Sequence, residues 1–305
     1  MLLIKQATFI LYYGVLVNIL VYVLKVWNVT FNNEFMIMLS KQRTVKRYLA
    51  ALPKLSSHRT VFHVAPMMDY TDHHQRHLMR IISRRAVLYT EMVTSGAVNR
   101  NWTNIDPFQY SDTLLEDHDR TVIQLGGSCP KDMGEAAKIA HSYGYKHINI
   151  NAGCPSSRVA SGSFGACLML EPELLVEVCQ RITEETGIIP SMKCRIGVND
   201  DYEYERLCDF VHKLSHGANL TEYVVHARMA ILNKSFTPAD NRRIPPLRYE
   251  IVHRLVRDFP ALHFTINGGI QTFEQAIEHL EKGVKGESLP LLYSISITAS
   301  IIILH

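Results

Sequence analysis

The sequence lacks the closely spaced cysteines that structural zinc sites and disulfide frameworks require. No C-x-x-C pair is present, which excludes the common zinc-ribbon and zinc-finger spacings, and we expect no metal site. A chain of 305 residues is also unlike a small secreted disulfide scaffold. We therefore expect a reducing compartment, either the cytoplasm or an organelle such as the mitochondrion or plastid. The six cysteines lie at least 12 positions apart, at Cys129, Cys154, Cys167, Cys179, Cys194 and Cys208.

The chain also has little net charge, because its 32 Lys and Arg residues are nearly balanced by 29 Asp and Glu residues. A formal charge of +3 does not by itself indicate a nucleic-acid-binding protein. The charge is unevenly distributed, since residues 1–60 contain eight basic residues and one acid, Glu34, for a charge of +7. The remainder is slightly acidic, so any contact with RNA must come from individually placed Arg and Lys side chains.

The overall composition excludes several classes of protein. Hydrophobic residues make up 47% of the chain and charged residues 20%, which is unlike a disordered or fibrous protein. The length suits either two domains or one large α/β barrel.

The N-terminal 60 residues are interpreted in two ways. Residues 8–27 form an almost continuous apolar run, of which the charge-free part Thr8–Leu24 is only just long enough to span a bilayer. This run is either a membrane anchor or signal sequence, or an extension that arises from an uncertain start site. Residues 36–59 are basic and free of acids, and they resemble an organellar transit peptide if translation begins at Met36 or Met38.

Beyond residue 60, short apolar segments alternate with segments of helical periodicity. Repeated strand–helix units predict a parallel sheet with helices outside it, and seven strands over this length favour a TIM (β/α)8 barrel. The active site of such a barrel lies at the carboxyl ends of the strands. The predicted strands are Val61–Pro66, Ala86–Glu91, Val122–Leu125, His147–Asn151, Pro190–Arg195, Glu222–His226 and Leu262–Asn267. The predicted helices include Met133–Tyr143, Pro172–Thr186, Tyr204–Leu214 and Phe273–Leu280.

Polar residues follow several of these predicted strands. Gln124 can hydrogen-bond the edge of a ring, and Lys193 places positive charge where a reduced ring becomes anionic. His226 ends the sixth strand, and Gly268 and Gly269 allow a phosphate to approach the backbone closely. Together these residues predict a site for a flat polar cofactor that carries a phosphate.

The segments around these residues resemble the tRNA-dihydrouridine synthases, in particular the bacterial A type, tRNA-dihydrouridine(20/20a) synthase. The resemblance extends in order from about Val61 to Gly286. A single NGG would mean little, whereas an ordered set of this kind is specific. The similar segments are APMMDYTD, LYTEMV, QLGG, NINAGCPSSRV, GSFGACLM, MKCRIGVND, VVHAR, ADNRRIPPL and FTINGGI.

The resemblance implies a flavoprotein oxidoreductase that uses FMN and NADPH to reduce a uridine in the D-loop of tRNA to dihydrouridine. In the family, hydride passes from the flavin to C6 of the base while a cysteine protonates C5. Cys154 occupies the position of that cysteine. A thiol suits this role, because a weak acid with a pKa near the working pH can give up a proton and recover it from solvent.

The resemblance also implies roles for other residues, as lining of the flavin, as contacts to it, or as contacts to RNA. The expected flavin-binding residues are Pro66, Met67, Met68, Gln124, Lys193, His226, Asn267, Gly268 and Gly269. Asn151 is expected to recognise the flipped uracil, and Arg195, Arg228, Asn241 and Arg242 are weaker candidates for contact with RNA.

The resemblance ends at Gly286. The family continues with its eighth strand, a Gly-Arg pair at the flavin phosphate and a helical tRNA-binding domain, whereas this chain continues with ESLPLLYSISITASIIILH. We therefore expect a barrel that is incomplete at its eighth strand, unless residues 289–297 fill that place. We also expect that the C-terminal tRNA-binding domain is lacking. The expected divisions are an N-terminal extension at 1–60, a barrel at 61–286 and an apolar tail at 287–305.

Three functions remain open at this point. The first is a dihydrouridine synthase. The second is a catalytically impaired remnant of the same family that binds RNA or is tethered to a membrane through residues 8–27. The third is a flavin-dependent barrel that acts on a free pyrimidine, which the GCPS and HAR motifs make the weakest of the three.

Overall fold

The computed structural model describes residues 61–83, 85–105, 120–156, 162–199, 203–233 and 235–289. The predicted N-terminal extension at 1–60, with its apolar run and its transit-peptide-like segment, lies outside the described residues. So do residues 290–305 of the predicted tail.

Among the described residues, eight parallel strands form a closed barrel in the order β1 to β8, which confirms the predicted TIM-barrel class. Each of the seven predicted strands is present within three residues of its expected bounds. The strands are β1 (Val61–Val64), β2 (Val87–Thr94), β3 (Thr121–Gly126), β4 (His147–Ala152), β5 (Ser191–Arg195), β6 (Glu222–His226), β7 (His263–Asn267) and β8 (Gly286–Leu289).

The eighth strand, expected to be incomplete, is present as a short strand of four residues. It pairs with β1 from Val61↔Gly286 to Val64↔Leu289, and with β7 from Thr265↔Gly286 to Asn267↔Ser288, so the ladder closes. This corrects the predicted boundary at residue 286, because the barrel continues to Leu289. The strand shares only Leu289 with the stretch 289–297 that was the alternative for this place. Its sequence GESL has no apolar alternation, and its pairing comes from the two neighbouring strands.

In the described part of the chain, helices cover the outside of the strands, and their ends follow ordinary capping chemistry. Asp72 caps the helix His73–Ile82 by accepting from the Gln75 N–H, and Thr272 forms a capping box with Gln275. Gly187 ends its helix with φ of +73°, a conformation that glycine adopts without steric cost. The helices are His73–Ile82, Ser95–Ile105, Pro130–Ser142, Pro172–Thr186, Tyr204–Gly217, Asp240–Arg243, Tyr249–Asp258 and Phe273–Glu281, and the 3-10 helix is Gly165–Leu170.

The alternation of side chains along the strands separates an apolar layer from a polar interior. On β4, Ile148, Ile150 and Ala152 belong to the large core cluster that the helices pack against. Asn149 and Asn151 alternate with them and form hydrogen bonds to side chains of the neighbouring strands. A buried strand therefore presents polar groups to the inside of the barrel without exposing them to bulk water.

A smaller apolar cluster lies nearer the amino ends of the strands. It consists of Tyr89, Val122 and Val224, with Val87 packed against it. His63 Nδ1 lies 3.2 Å from the Tyr89 hydroxyl. Burial lowers the pKa of His63 to about 4, so this imidazole is neutral at physiological pH. The polar residues nearer the carboxyl ends form the candidate site.

Candidate active site

Cys154 lies in a turn directly after β4, and the side chain of Asn151 holds this turn. Asn151 Oδ1 accepts hydrogen bonds from the backbone N–H groups of Gly153 at 3.1 Å and Cys154 at 2.9 Å. The Cys154 carbonyl accepts from the Ala166 N–H at 2.9 Å, which joins the turn to the 3-10 helix. Cys154 is half-buried. The thiol is thus on a fixed backbone that remains partly accessible.

Gly153 permits a close approach between this turn and β5. A Cβ at this position would lie 3.2–3.3 Å from the backbone of Cys194 and from the Lys193 carbonyl. These neighbours are backbone atoms of a paired strand, which have little freedom to move. The glycine before the cysteine therefore has a packing reason in this fold.

A chain of hydrogen-bonded side chains runs from Asn151 across the barrel. Asn151 Nδ2 donates to Gln124 Oε1 at 2.9 Å, and Gln124 Nε2 donates to Asn149 Oδ1 at 2.7 Å. Asn149 Nδ2 then donates to Ser191 Oγ at 2.9 Å. Gln124 is 1% exposed, yet its amide has a second N–H and a second lone pair to offer to a bound ring.

Lys193, the register partner of Asn151 on β5, is brought together with Asn267 in the same layer. Lys193 Nζ donates to Asn267 Oδ1 at 3.1 Å, and Asn267 Nδ2 donates to the Ser288 carbonyl of β8. Burial, with a smaller contribution from the nearby Arg195, lowers the pKa of Lys193 to about 8. This ammonium group is therefore mostly charged at neutral pH but is an easier proton donor than an exposed lysine.

His226 is kept neutral by its surroundings. Its pKa is well below the usual value because of burial and of four nearby cations, of which Arg195 and Lys193 contribute most and Arg228 and Arg242 less. A neutral imidazole can both donate and accept a hydrogen bond. The concentration of positive charge around it suits a ligand with phosphate or another anionic group.

Gly268 and Gly269 form the turn after β7 beside His226. Their φ values are +113° and +69°, in the region that favours glycine. A Cβ on Gly268 would lie 3.0 Å from His226 Nε2, and one on Gly269 would lie 2.5 Å from Leu247 Cδ1. The Gly268 carbonyl accepts from the Tyr249 hydroxyl at 2.6 Å. Protein side chains therefore pack closely against this turn, in which Gly268 is buried and Gly269 is exposed.

The segment Pro66–Met68 follows β1 and is closed into a turn by Thr71. The Met67 N–H donates to Thr71 Oγ1 at 3.0 Å, and the Met67 carbonyl accepts from the N–H groups of Tyr70 and Thr71. Thr71 is fully buried, whereas Met68 is 55% exposed. The backbone of the predicted flavin-lining segment is thus set by internal hydrogen bonds.

Glu91 is a residue of the site whose role the sequence does not reveal. The register of β2 against β3 shifts between Tyr89 and Met92, and Glu91 lies in this irregularity. Its Oε1 accepts from the Asp69 N–H at 2.5 Å, and Asp69 has a φ of +65°. A non-glycine residue in this conformation costs about 1–2 kcal/mol, so Glu91 holds a strained turn. The glutamate stands in the LYTEMV segment, but only the bulge shows which backbone it contacts.

The residues predicted to contact RNA differ in their exposure to solvent. Asn241 is fully buried and closes its own loop, since its amide bonds the Ile231 N–H at 2.7 Å and the Ile231 carbonyl at 3.0 Å. Arg195 is 5% exposed. Arg228 donates to the Pro245 carbonyl, while Arg242 is exposed. Asn241 therefore does not present its side chain to a solvent-borne ligand, and Arg242 is the RNA candidate that is open to solvent.

Two unsatisfied buried atoms test whether a flavin fits these residues. His226 Nδ1 and Ser288 Oγ are buried and have no hydrogen-bond partner in the described part of the chain. Ser288 is the register partner of Asn267 on β7, which places it in the same layer as Lys193. Buried polar atoms without partners are costly unless a ligand satisfies them. Together with the cations and the glycine turn, they match a ring with polar edges and a phosphate.

The described residues contain no group of three or more His, Cys, Asp or Glu side chains that could hold a metal ion. None of the helices among them is long and apolar enough to cross a membrane. The apolar run at residues 8–27 lies outside this part of the chain.

Comparisons with known proteins agree with the geometry. The model of the family described as dihydrouridine synthase matches residues 63–287. The tRNA-dihydrouridine(20/20a) synthase of Pseudomonas syringae pv. tomato is 45% identical over 72% of this chain and 63% of its own length. The corresponding proteins of Pasteurella multocida and Escherichia coli (strain K12) are 45% and 44% identical, over 66% and 62% of their lengths. This chain thus spans less than two thirds of these relatives.

A solved structure supports the fold alone. The complex of 2-naphthoyl-CoA reductase with 2-naphthoyl-CoA superimposes with a TM-score of 0.55 over 80% of this chain and 50% of that protein. The sequence identity is 9%, so the likeness concerns the barrel and not its chemistry.

Proposed function

This chain belongs to the dihydrouridine synthase family, and from that membership we propose that it is an FMN-dependent oxidoreductase that reduces uridine in the D-loop of tRNA to 5,6-dihydrouridine, with NADPH as reductant. The observation that supports this most strongly is the convergence of the Cys154 turn, the Gln124 amide, Lys193, His226 and the glycine turn at one end of the barrel. A bound flavin would supply the hydride for C6 of the uracil ring.

Different residues of this chain would bind different parts of the cofactor. Gln124 offers its free amide hydrogen and lone pair to the ring edge, and Lys193 places a positive charge in the same layer. His226 and the backbone of Gly268 and Gly269 are available to the phosphate end. The backbone of Pro66–Met68 would line the ring.

Cys154 is the proposed acid for C5 of the uracil. Asn151 fixes the backbone N–H groups on both sides of the Gly153 Cα, so the thiol is presented from a constant position. A group that transfers a proton must lie within hydrogen-bond reach of the accepting atom, and a rigid turn keeps it there. Partial exposure of Cys154 lets solvent restore the proton after each reaction.

The uridine must leave its stack to reach such a site, because the reacting atoms lie inside the nucleic acid. Arg242 is exposed at the rim and is the proposed phosphate contact. Asn151 and Arg228 remain proposed RNA contacts of lower rank, since their side chains already bond the protein. The compartment proposed is the cytoplasm or an organelle, which agrees with six free cysteines.

The function is tested with the full chain, purified and loaded with FMN. It is incubated with NADPH and tRNA from a strain that lacks its own dihydrouridine synthases, and dihydrouridine is measured by mass spectrometry of the nucleosides. We expect dihydrouridine with the unsubstituted protein and with Cys208→Ala, and none with Cys154→Ala.

The same experiment separates the alternatives. Binding of tRNA without any dihydrouridine formation would favour a non-catalytic family member. Turnover of free uracil without reduction of tRNA would favour an enzyme of small pyrimidines. Failure of the protein to bind FMN would contradict the proposal as a whole.

A further inference from the structure

Tyr249 begins the helix that precedes β7, and it contacts the glycine turn that follows this strand. Its hydroxyl donates to the Gly268 carbonyl at 2.6 Å, and a Cβ on Gly269 would lie 3.1 Å from the same hydroxyl oxygen. The start of the helix is itself bonded to the barrel, because the Arg248 N–H donates to the Ala227 carbonyl at 2.8 Å. Tyr249 is therefore a fixed support against which the glycine turn packs.

Two histidines, each 6% exposed, connect Tyr249 to the helix that follows the turn. The ring of His279 packs against the ring of Tyr249, with centroids 4.4 Å apart. His279 Nδ1 lies 3.1 Å from His253 Nε2. His253 belongs to the same helix as Tyr249, whereas His279 belongs to the helix Phe273–Glu281. The contact between the two imidazoles therefore fastens together the helices that precede and follow β7.

Both imidazoles are neutral at physiological pH, which allows a hydrogen bond between their ring nitrogens. Burial lowers the pKa of His279 to about 4, and the neighbouring His253 and Lys282 act in the same direction. Burial also lowers the pKa of His253, with smaller contributions from Lys282 and Arg257 and an opposing one from Glu250. In a neutral pair, one nitrogen donates its hydrogen to the lone pair of the other, whereas two protonated rings would both present N–H groups.

The glycine turn runs from β7 directly into the helix that carries His279. Thr272 caps this helix in a capping box with Gln275, and Gln275 Oε1 also accepts from the Gln271 N–H at 2.8 Å. The end of the turn is thus bonded to the helix, and the start of the turn is bonded to Tyr249. Because the histidine pair sets the position of the helix, it also influences the shape of the turn.

We propose that Tyr249, His253 and His279 are positioning residues that hold the Gly268–Gly269 turn in the conformation that receives the phosphate group of the flavin. The three side chains act through the Gly268 carbonyl and the following helix. If only a fraction of the molecules has the receiving conformation, the apparent affinity for the ligand falls by that fraction. The identity of the ligand as FMN rests on the proposed function, whereas the support of the turn does not.

The test compares two flavins that differ only in the phosphate group. The flavin-free full chain is titrated with FMN and with riboflavin, which lacks the phosphate, and binding is followed by flavin fluorescence. His253→Leu removes the hydrogen bond of the pair, whereas His253→Gln keeps a neutral N–H near the position of the ring nitrogen. Tyr249→Phe removes only the hydroxyl. His63→Leu is the matched control, because His63 is also a buried neutral histidine but lies in the cluster nearer the amino ends of the strands.

Tyr249→Phe should raise the Kd for FMN about five-fold, the factor that corresponds to one net hydrogen bond, and His253→Leu should raise it about two- to five-fold. The Kd for riboflavin should not change, and His253→Gln and His63→Leu should bind FMN as the unsubstituted protein does. Equal weakening of FMN and riboflavin would overturn the proposal, because it would indicate a general loss of structure. Equal FMN affinities of His253→Leu and His253→Gln would also overturn it, since the bond between the histidines would then not affect the turn.

A second measurement requires no ligand. Hydrogen exchange of the flavin-free protein is followed by mass spectrometry for a peptide that covers residues 267–272. We expect this peptide to exchange faster in His253→Leu than in His253→Gln, and a peptide that covers residues 172–186 to exchange equally in both. Equal exchange of the first peptide in the two variants would contradict the proposed support of the turn.

The exchange measurement also separates this inference from the proposed function. If the unsubstituted chain binds no FMN, the proposed function fails, and the exchange of residues 267–272 still decides whether the histidine pair holds the turn. If His253→Leu does not fold, Tyr249→Phe provides the same comparison against the unsubstituted protein.

Discussion

Substitution of Asn151 perturbs the Cys154 turn in a way that can be calculated from its hydrogen bonds. Asn151→Ala removes the acceptor of two backbone N–H groups and the donor to Gln124 Oε1. A net contribution of about 1 kcal/mol for each hydrogen bond gives a loss of about 3 kcal/mol in the free energy of unfolding. The loss of stability is larger if no water molecule replaces Asn151 as the partner of the buried Gly153 N–H.

Asn151→Asp is the informative comparison. The carboxylate keeps both bonds to the backbone and loses only the donor to Gln124. The amides of Gln124 and Asn149 can each rotate by half a turn, which reverses the direction of donation along the chain. That rearrangement reaches Ser191, whose hydroxyl then gives up its bond to the Ile148 carbonyl. The expected loss for this variant is therefore about 1 kcal/mol.

Urea unfolding of the flavin-free proteins, followed by circular dichroism, measures both losses. The alanine variant should be about 2 kcal/mol less stable than the aspartate variant, and its Cys154 should be alkylated at a changed rate. The reasoning is refuted if the two variants are equally stable, because the stability would then not come from the acceptor that holds the turn.

Three further predictions address other parts of the site and the barrel. Glu91→Ala should weaken FMN binding about ten-fold in a fluorescence titration, since a charge-assisted bond that holds the β1 turn is lost, and Glu91→Gln should recover most of the affinity; equal affinities for both variants would contradict this. Gly269→Ala and Gly187→Ala have nearly the same φ, so both should lose about 1–2 kcal/mol of stability from backbone strain. Gly269→Ala should lose additional stability, because its Cβ would lie 2.5 Å from Leu247 Cδ1, whereas nothing lies within 4 Å of a Cβ at Gly187. Equal losses by urea unfolding would show that packing around Gly269 is loose. His63 and His279 have pKa values of about 4 in the folded protein against 6.5 when unfolded, so the unfolded state binds more protons between these values and stability falls as the pH drops from 6.5 to 4. Each contributes at most about 3 kcal/mol, and urea midpoints that do not change over this range would contradict the burial of neutral imidazoles.

The strands and the centre of the site were accessible to sequence reasoning, because both depend on local patterns. The alternation in HININA separates Ile148 and Ile150 from Asn149 and Asn151 by period two alone. Gln124 and Lys193 stand near the ends of predicted strands, and parallel strands place such ends at one face of a barrel.

The features that were missed depend on contacts between distant segments. Glu91 acts through a bulge in β2, and a register shift leaves no mark in a single sequence. The sequence HININA of β4 is easy to recognise as a strand. GESL, in contrast, becomes β8 only because β1 and β7 leave unpaired edges beside it. The hydrogen bonds of Arg195 to three backbone carbonyls are likewise a property of the tertiary structure, which the segment MKCRIGVND does not reveal.

The central claim is that this barrel reduces uridine in tRNA through the Cys154 thiol. A single-turnover measurement tests it most directly: the FMN-loaded full chain is reduced with NADPH, mixed with unmodified tRNA, and quenched at successive times for nucleoside analysis. The account predicts that dihydrouridine appears as the flavin is reoxidised, and that Cys154→Ala forms little or none while it still binds FMN. Dihydrouridine formation at the same rate in Cys154→Ala, or oxidation of the flavin without any dihydrouridine in the unsubstituted protein, would contradict it.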